Sequence, residues 1–148
     1  MSKFDILPWM VKDHCKIEKL LSRIEENSGN ASRSEMIDLF NDFEWVLEKH
    51  IFVEEKAIFT SYSPDDVTQG YKMLPELTKQ HNEILNRLDI MRREVYSKGL
   101  ITDVYGFKQF IIKHKNFEEK EVYPKLDLAL DDVHKKNIID KIQQIIGV

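Results

Sequence analysis

Residues 50–59 read HIFVEEKAIF and residues 114–123 read HKNFEEKEVY. They share a histidine, a Glu-Glu-Lys block and a final aromatic residue, Phe59 or Tyr123, at a constant offset of 64 positions. A looser pair precedes them, KDHCKI around His14 and KQHNEI around His81. The chain is thus two halves, each a segment with one histidine followed by a segment with His-x-x-x-Glu. An approximate two-fold axis between the halves is the arrangement this predicts.

Each segment carries helical periodicity. Pro8 suits a first turn, and Met10, Ile17, Leu20, Leu21 and Ile24 recur at helical spacing until the polar stretch around Gly29. Ser32 with Glu35 reads as a capping box opening a second helix through Met36, Leu39, Phe40, Phe43, Val46, Leu47, Val53 and Ala57, which should stop near Ser61, before Ser63 and Pro64. After a polar connection with room for one short helical turn, a third helix is predicted from about Pro75 to Ser97, with Gly99 ending it. A fourth runs from about Asp103 to Tyr123, where Pro124 hinders continuation. Asp131 or Asp132 caps a last, shorter helix over about 131–146 through Ile138, Ile139, Ile142 and Ile146. Five glycines, four prolines and no alternating runs with hairpin turns leave a sheet without support. The expected fold is all-α: one domain over residues 1–148, an antiparallel up-down-up-down four-helix bundle over about 5–125, and an additional short C-terminal helix packed outside it or across one end. With 42% apolar residues in 148, the chain is long enough to enclose a core.

A soluble helix turns apolar residues inward, yet each of the four long helices interrupts that face with one histidine: His14, His50, His81 and His114. Two of them have a carboxylate four residues on, Glu54 and Glu118, stacked on the same helix face. Burying two glutamates in an apolar interior costs roughly several kcal/mol each unless cations or hydrogen bonds compensate. Four inward histidines and two matched carboxylates point to metal, and two halves to two ions. Glu55 and Glu119 lie about 100° further round, in solvent or behind the ligands. Glu18 follows His14 at the same spacing, but its counterpart after His81 is Leu85, so it is left outside the set. His134 belongs to the polar face of the last helix. The core aromatics include Phe40, Phe43, Phe59, Phe110, Phe117 and Tyr123. Helix lengths place His14 and His50 level, whereas His81 lies 16 residues before Ser97 and His114 lies 11 after Asp103. That mismatch of about 8 Å predicts an earlier end to the third helix or a start of the fourth within 99–102.

The remaining composition narrows the chemistry. Cys15 is the only cysteine, so a thiolate cluster is excluded and any metal takes nitrogen and oxygen ligands. The net charge is −4 with acids and bases interspersed and no basic stripe, which argues against nucleic acid as a partner. No apolar run approaches the roughly 20 residues that cross a bilayer, and no export signal stands at the N-terminus. A cytoplasmic protein without membrane partners is the expectation.

A histidine in the first and third helices with His-x-x-x-Glu in the second and fourth resembles the hemerythrin-like, HHE cation-binding family over about residues 5–125. The resemblance implies two non-haem iron ions inside the bundle, bridged by two carboxylates and an oxo or hydroxo group. Carried over, Glu54 and Glu118 would bridge, with His14 and His50 on one iron and His81 and His114 on the other. Oxygen carriers of that family have a second histidine on the third helix, four residues from the first, and a longer His-to-Asp spacing on the fourth. Here Leu77 and Leu85 flank His81 and the spacing to Glu118 is shorter, which puts reversible oxygen carriage in doubt. Three functions follow as expectations: binding or sensing of O2 or a related diatomic such as NO; a di-iron oxidoreductase consuming peroxide or nitric oxide; and an iron-responsive interaction module with a protein partner that the sequence does not specify. Whether the chain is an enzyme stays open at this point.

Overall fold

The computed structural model describes residues 2–61 and 69–146. The helices are α1 (Leu7–Asn27), α2 (Arg33–Val53), α3 (Gln69–Lys98), α4 (Val104–Phe117), α5 (Tyr123–Ala129) and α6 (Asp132–Ile146). A π-helical turn, Glu54–Ile58, and a short 3-10 turn, Phe59–Ser61, prolong α2, and a second π-helical turn, Glu118–Val122, joins α4 to α5. Helix α1 packs on α2, α2 on α3, α3 on α4 and α4 back on α1, which is the four-helix bundle the periodicity predicts. Among the described residues there is no strand, and no helix is long and apolar enough to cross a membrane.

Local chemistry sets the ends. The Ser32 hydroxyl accepts from the Glu35 backbone N–H at 3.2 Å and starts α2. Asp103 accepts from the Gly106 N–H at 2.8 Å and starts α4. Gly99, at φ +73°, ends α3 with its N–H on the Val95 carbonyl.

Three boundaries differ from the sequence expectation. Helix α3 begins at Gln69 and takes Pro75 into its interior, where the ring lacks the N–H for one helical bond. The connection expected around Ser63 and Pro64 lies outside the described residues. Pro124 does not stop the fourth helical segment, because it falls in the first turn of α5, where its missing N–H has no required partner. Finally, α3 does not end early and α4 does not begin early. The offset between them is absorbed by the connection, which folds back along α3: the Thr102 hydroxyl donates to Glu94, one turn before the helix end, and Ile101 is buried beneath it.

Two apolar clusters fill the bundle. One, toward the α1–α2 and α3–α4 connections, holds Ile17, Leu21, Phe40, Phe43, Leu88 and Phe107. The other holds Ile6, Met10, Leu77, Val122, Tyr123 and Leu126, together with Ile138, Ile139 and Ile142 of α6. Helix α6 thus closes the second end. The buried histidines and glutamates lie between the clusters.

Candidate metal centre

All six side chains singled out by the sequence pattern are buried, with His81, Glu54 and Glu118 at 0% exposure and His114 the most open at 7%. They converge. The His14 and His50 rings lie 4.9 Å apart and the His81 and His114 rings 5.2 Å apart, both at an interplanar angle of 62°. The two pairs are therefore the two-fold copies that the repeat predicts.

Each carboxylate lies between the pairs. Glu54 Oε1 is 2.8 Å from His50 Nε2 and 3.4 Å from His81 Nε2. Glu118 Oε1 is 3.0 Å from His14 Nε2 and 3.3 Å from His114 Nε2. Two sets of donor atoms lie mutually within 4.8 Å: Glu54, His81, His114 and Glu118, and His14, His50 and Glu118. Either set could hold a cation.

The outer ring nitrogens fix the orientation of the inner ones. His50 Nδ1 donates to Asp13 at 2.6 Å, His81 Nδ1 to Glu55 at 3.1 Å, His114 Nδ1 to the Gln80 side-chain oxygen at 2.6 Å, and His14 Nδ1 to Glu119 at 2.6 Å. The pattern is cyclic, since each helical segment orients the histidine of the next. With Nδ1 protonated, a neutral imidazole presents a lone pair at Nε2. The cluster then brings imidazole lone pairs against carboxylate oxygens. Although His50 Nε2 and Glu54 Oε1 are close, they are not aligned as a hydrogen bond, and both atoms are buried without a hydrogen-bond partner, as are His81 Nε2 and His114 Nε2. Such an arrangement is favourable only with positive charge between the lone pairs.

In the protein alone that charge comes from protons. Burial works against charged His14, His50 and His81, but the neighbouring carboxylates outweigh it and hold all three above the ordinary imidazole value, His50 furthest. Burial pushes Glu118 up, yet its close contacts with Glu54, His114 and His14 outweigh that and bring it well below the usual carboxylate range. Burial and the charges of Glu118 and Glu54 keep the Tyr123 phenol neutral. Its hydroxyl donates to Glu54 and, at 3.2 Å, to Glu118.

Sequence reasoning misses Asp13, Gln80 and Tyr123 as members of this layer. The first two precede His14 and His81 directly, so the KDH and KQH echo holds the signal, but each orients a histidine on a different helix, which sequence spacing does not show. Tyr123 is five residues beyond Glu118, about 140° round an α-helix. The π-helical turn, closed by the Tyr123 N–H on the Glu118 carbonyl, brings it back to the same side. Phe59 repeats that bond to Glu54, but its ring stacks on His81 at 5.8 Å and 11°.

Beside His14, His50 and His114 lies a small cavity of about 10 Å³, lined chiefly by Ile17, Leu47, Ile51, Ile84 and Ile111. Glu18 and Lys115 also line it and pair with each other at 2.7 Å, so Glu18 is occupied away from the cluster. His134 is exposed beside Asp131.

No match emerged among curated proteins or among solved structures. Residues 5–126, however, match the family described as the hemerythrin HHE cation binding domain, and the chain belongs to that family.

Proposed function

We propose that this chain is a non-haem di-iron protein that binds dioxygen or a related diatomic molecule. His14 and His50 would hold one ion and His81 and His114 the other, with Glu54 and Glu118 as the carboxylate ligands. The observation that carries this reading is the set of buried lone pairs facing one another, three imidazole nitrogens and a carboxylate oxygen among them without a hydrogen-bond partner. Imidazole and carboxylate donors suit iron, and the absence of thiolates disfavours softer choices. When bound, two ferrous ions would supply two electrons and open coordination positions to a small oxidising ligand.

The protein's own contribution is shape, dryness and charge. The apolar cavity has room for about one water-sized molecule, which leaves no space for an organic substrate. Glu18 and Lys115 close one side of it. Apolar clusters above and below keep the cluster dry, which strengthens its electrostatics.

A second reading, an oxidoreductase consuming peroxide or nitric oxide, is favoured by Tyr123. Its hydroxyl, held neutral, is a hydrogen-bond donor touching both carboxylates, a group that can steady charge developing there during turnover. Iron-loaded protein reduced anaerobically and then mixed with oxygen separates the two. A coloured form removed by vacuum supports binding. Irreversible bleaching with catalytic loss of peroxide or nitric oxide supports the enzyme. A large iron-dependent melting shift with neither response would favour an iron-responsive module instead.

A further inference from the structure

The two-fold repeat pairs the four histidines and the two glutamates, and it is broken one layer out. On one side His14 and His50 both donate to carboxylates, Glu119 and Asp13, at 2.6 Å. On the other, Glu55 stands off at 3.1 Å from His81, and the acceptor for His114 is the neutral amide of Gln80. The repeat makes Gln80 the counterpart of Asp13. Its amide orientation is fixed, because the Gln80 nitrogen donates to Glu76 at 3.2 Å and leaves the oxygen for His114. An imidazole that donates to a carboxylate is the more basic ligand at its other nitrogen, and one that donates to an amide is less so.

We propose that the two cation positions are unequal: the one at His14 and His50 takes its divalent ion first and holds it more tightly than the one at His81 and His114, and Gln80 sets the difference. This rests on the two-cation reading above. Gln80 acts through His114 and is a positioning residue. The longer Glu55 bond works in the same direction and adds a smaller part. The more labile ion then lies beside Phe59, which stacks on His81.

A second ion entering beside shared carboxylates is repelled by the first, so a two-step isotherm alone does not identify the preferred position. The test reads where the first ion goes. One equivalent of cobalt(II) is added to metal-stripped protein, and the hyperfine-shifted imidazole N–H signals are followed by NMR. Wild type should show them on His14 and His50 with about tenfold or greater preference, the size typical of partners that orient metal ligands. Gln80→Glu, which keeps the shape and adds the missing charge, should bring the occupancies of the two pairs close to equal. Asp13→Asn should move the ion toward His81 and His114, and it provides an independent check if Gln80→Glu fails to fold. Equal occupancy in wild type, a first ion at His81 and His114, or occupancies unmoved by either substitution would overturn the proposal. Failure of the underlying reading looks different: total cobalt at saturation would fall short of two per chain.

Discussion

The Tyr123 hydroxyl donates to the carboxylate of Glu54, which belongs to the other half of the internal repeat. Tyr123 therefore ties the halves together at their shared polar layer, and through Glu118 it also touches its own half. Removing only the hydroxyl, as Tyr123→Phe does, leaves the ring in place and takes a donor from two buried carboxylates. Hydrogen bonds to charged groups contribute about 1.5–3 kcal/mol. For a chain of this size that is a fall of roughly 4–10 °C in the melting temperature of metal-stripped protein. Circular dichroism melts check it, and a variant that melts with wild type would show that the contact adds nothing.

Loss of a shared ligand should weigh differently from loss of an unshared one. Glu118 belongs to both sets of donor atoms, whereas His81 belongs to one. Glu118→Ala is expected to lower iron content at both positions and His81→Ala at one, so neither variant should reach two irons per chain after reconstitution. Elemental analysis on folded, gel-filtered protein measures this. Two irons per chain in both variants would refute the ligand assignment.

Protons and metal compete for the same lone pairs, which sets the sign of the pH dependence. In metal-stripped protein His14, His50 and His81 are held above the ordinary imidazole value of 6.5. Their protonation therefore stabilises the fold fully below about pH 6.5, and the contribution is lost as pH rises through the higher folded values. Glu118 works in the other sense, contributing above the ordinary carboxylate range and losing its contribution only when pH falls well below it. Stripped protein should thus melt higher at about pH 6 than at about pH 9. Iron-loaded protein should show the reverse over the same interval, because metal binding displaces those protons. Calorimetric melts of both forms test the crossing, and parallel trends would count against it.

Much of this architecture is legible in the amino-acid order itself. Four histidines on apolar stripes and two matched glutamates identify the buried layer, and the offset repeat carries its two-fold order. Helix lengths place His14 and His50 level. Where the pattern falls short, the cause is geometry that a 3.6-residue period does not contain. The π-helical turns at Glu54 and Glu118 redirect Phe59 and Tyr123, and nothing in the local composition announces them apart from the repeat itself. The cyclic partners Asp13, Glu55, Gln80 and Glu119 depend on helix neighbours, so only Glu55 and Glu119, which repeat within the motif, stand out in the sequence. The α3–α4 mismatch is real, but the extended connection through Ile101 and Thr102 resolves it, whereas the sequence suggests a shifted helix end. Lys135, next to His134 on the last helix, is buried at 5% exposure, because its partner comes from the other end of the chain.

That partner is Asp5, whose carboxylate accepts from Lys135 Nζ at 2.6 Å. The pair fastens α6 over the end of the bundle, where Asp127 also accepts from the backbone N–H groups of Ile6 and Leu7 at 2.7 and 3.0 Å. Burying two charges is costly, and removing one strands the other, typically at about 3–5 kcal/mol. Asp5 keeps an edge in water at 9% exposure, so Lys135→Met should cost near the lower end, about 3 kcal/mol, or roughly 6–12 °C of melting temperature. The double variant Asp5→Leu with Lys135→Met leaves no stranded charge and should recover most of that loss. A thermodynamic cycle over the two singles and the double isolates the coupling. If the double variant is as unstable as the sum of the singles, the ion pair is not what holds α6 in place, and the isoleucines at 138, 139 and 142 fasten it unaided.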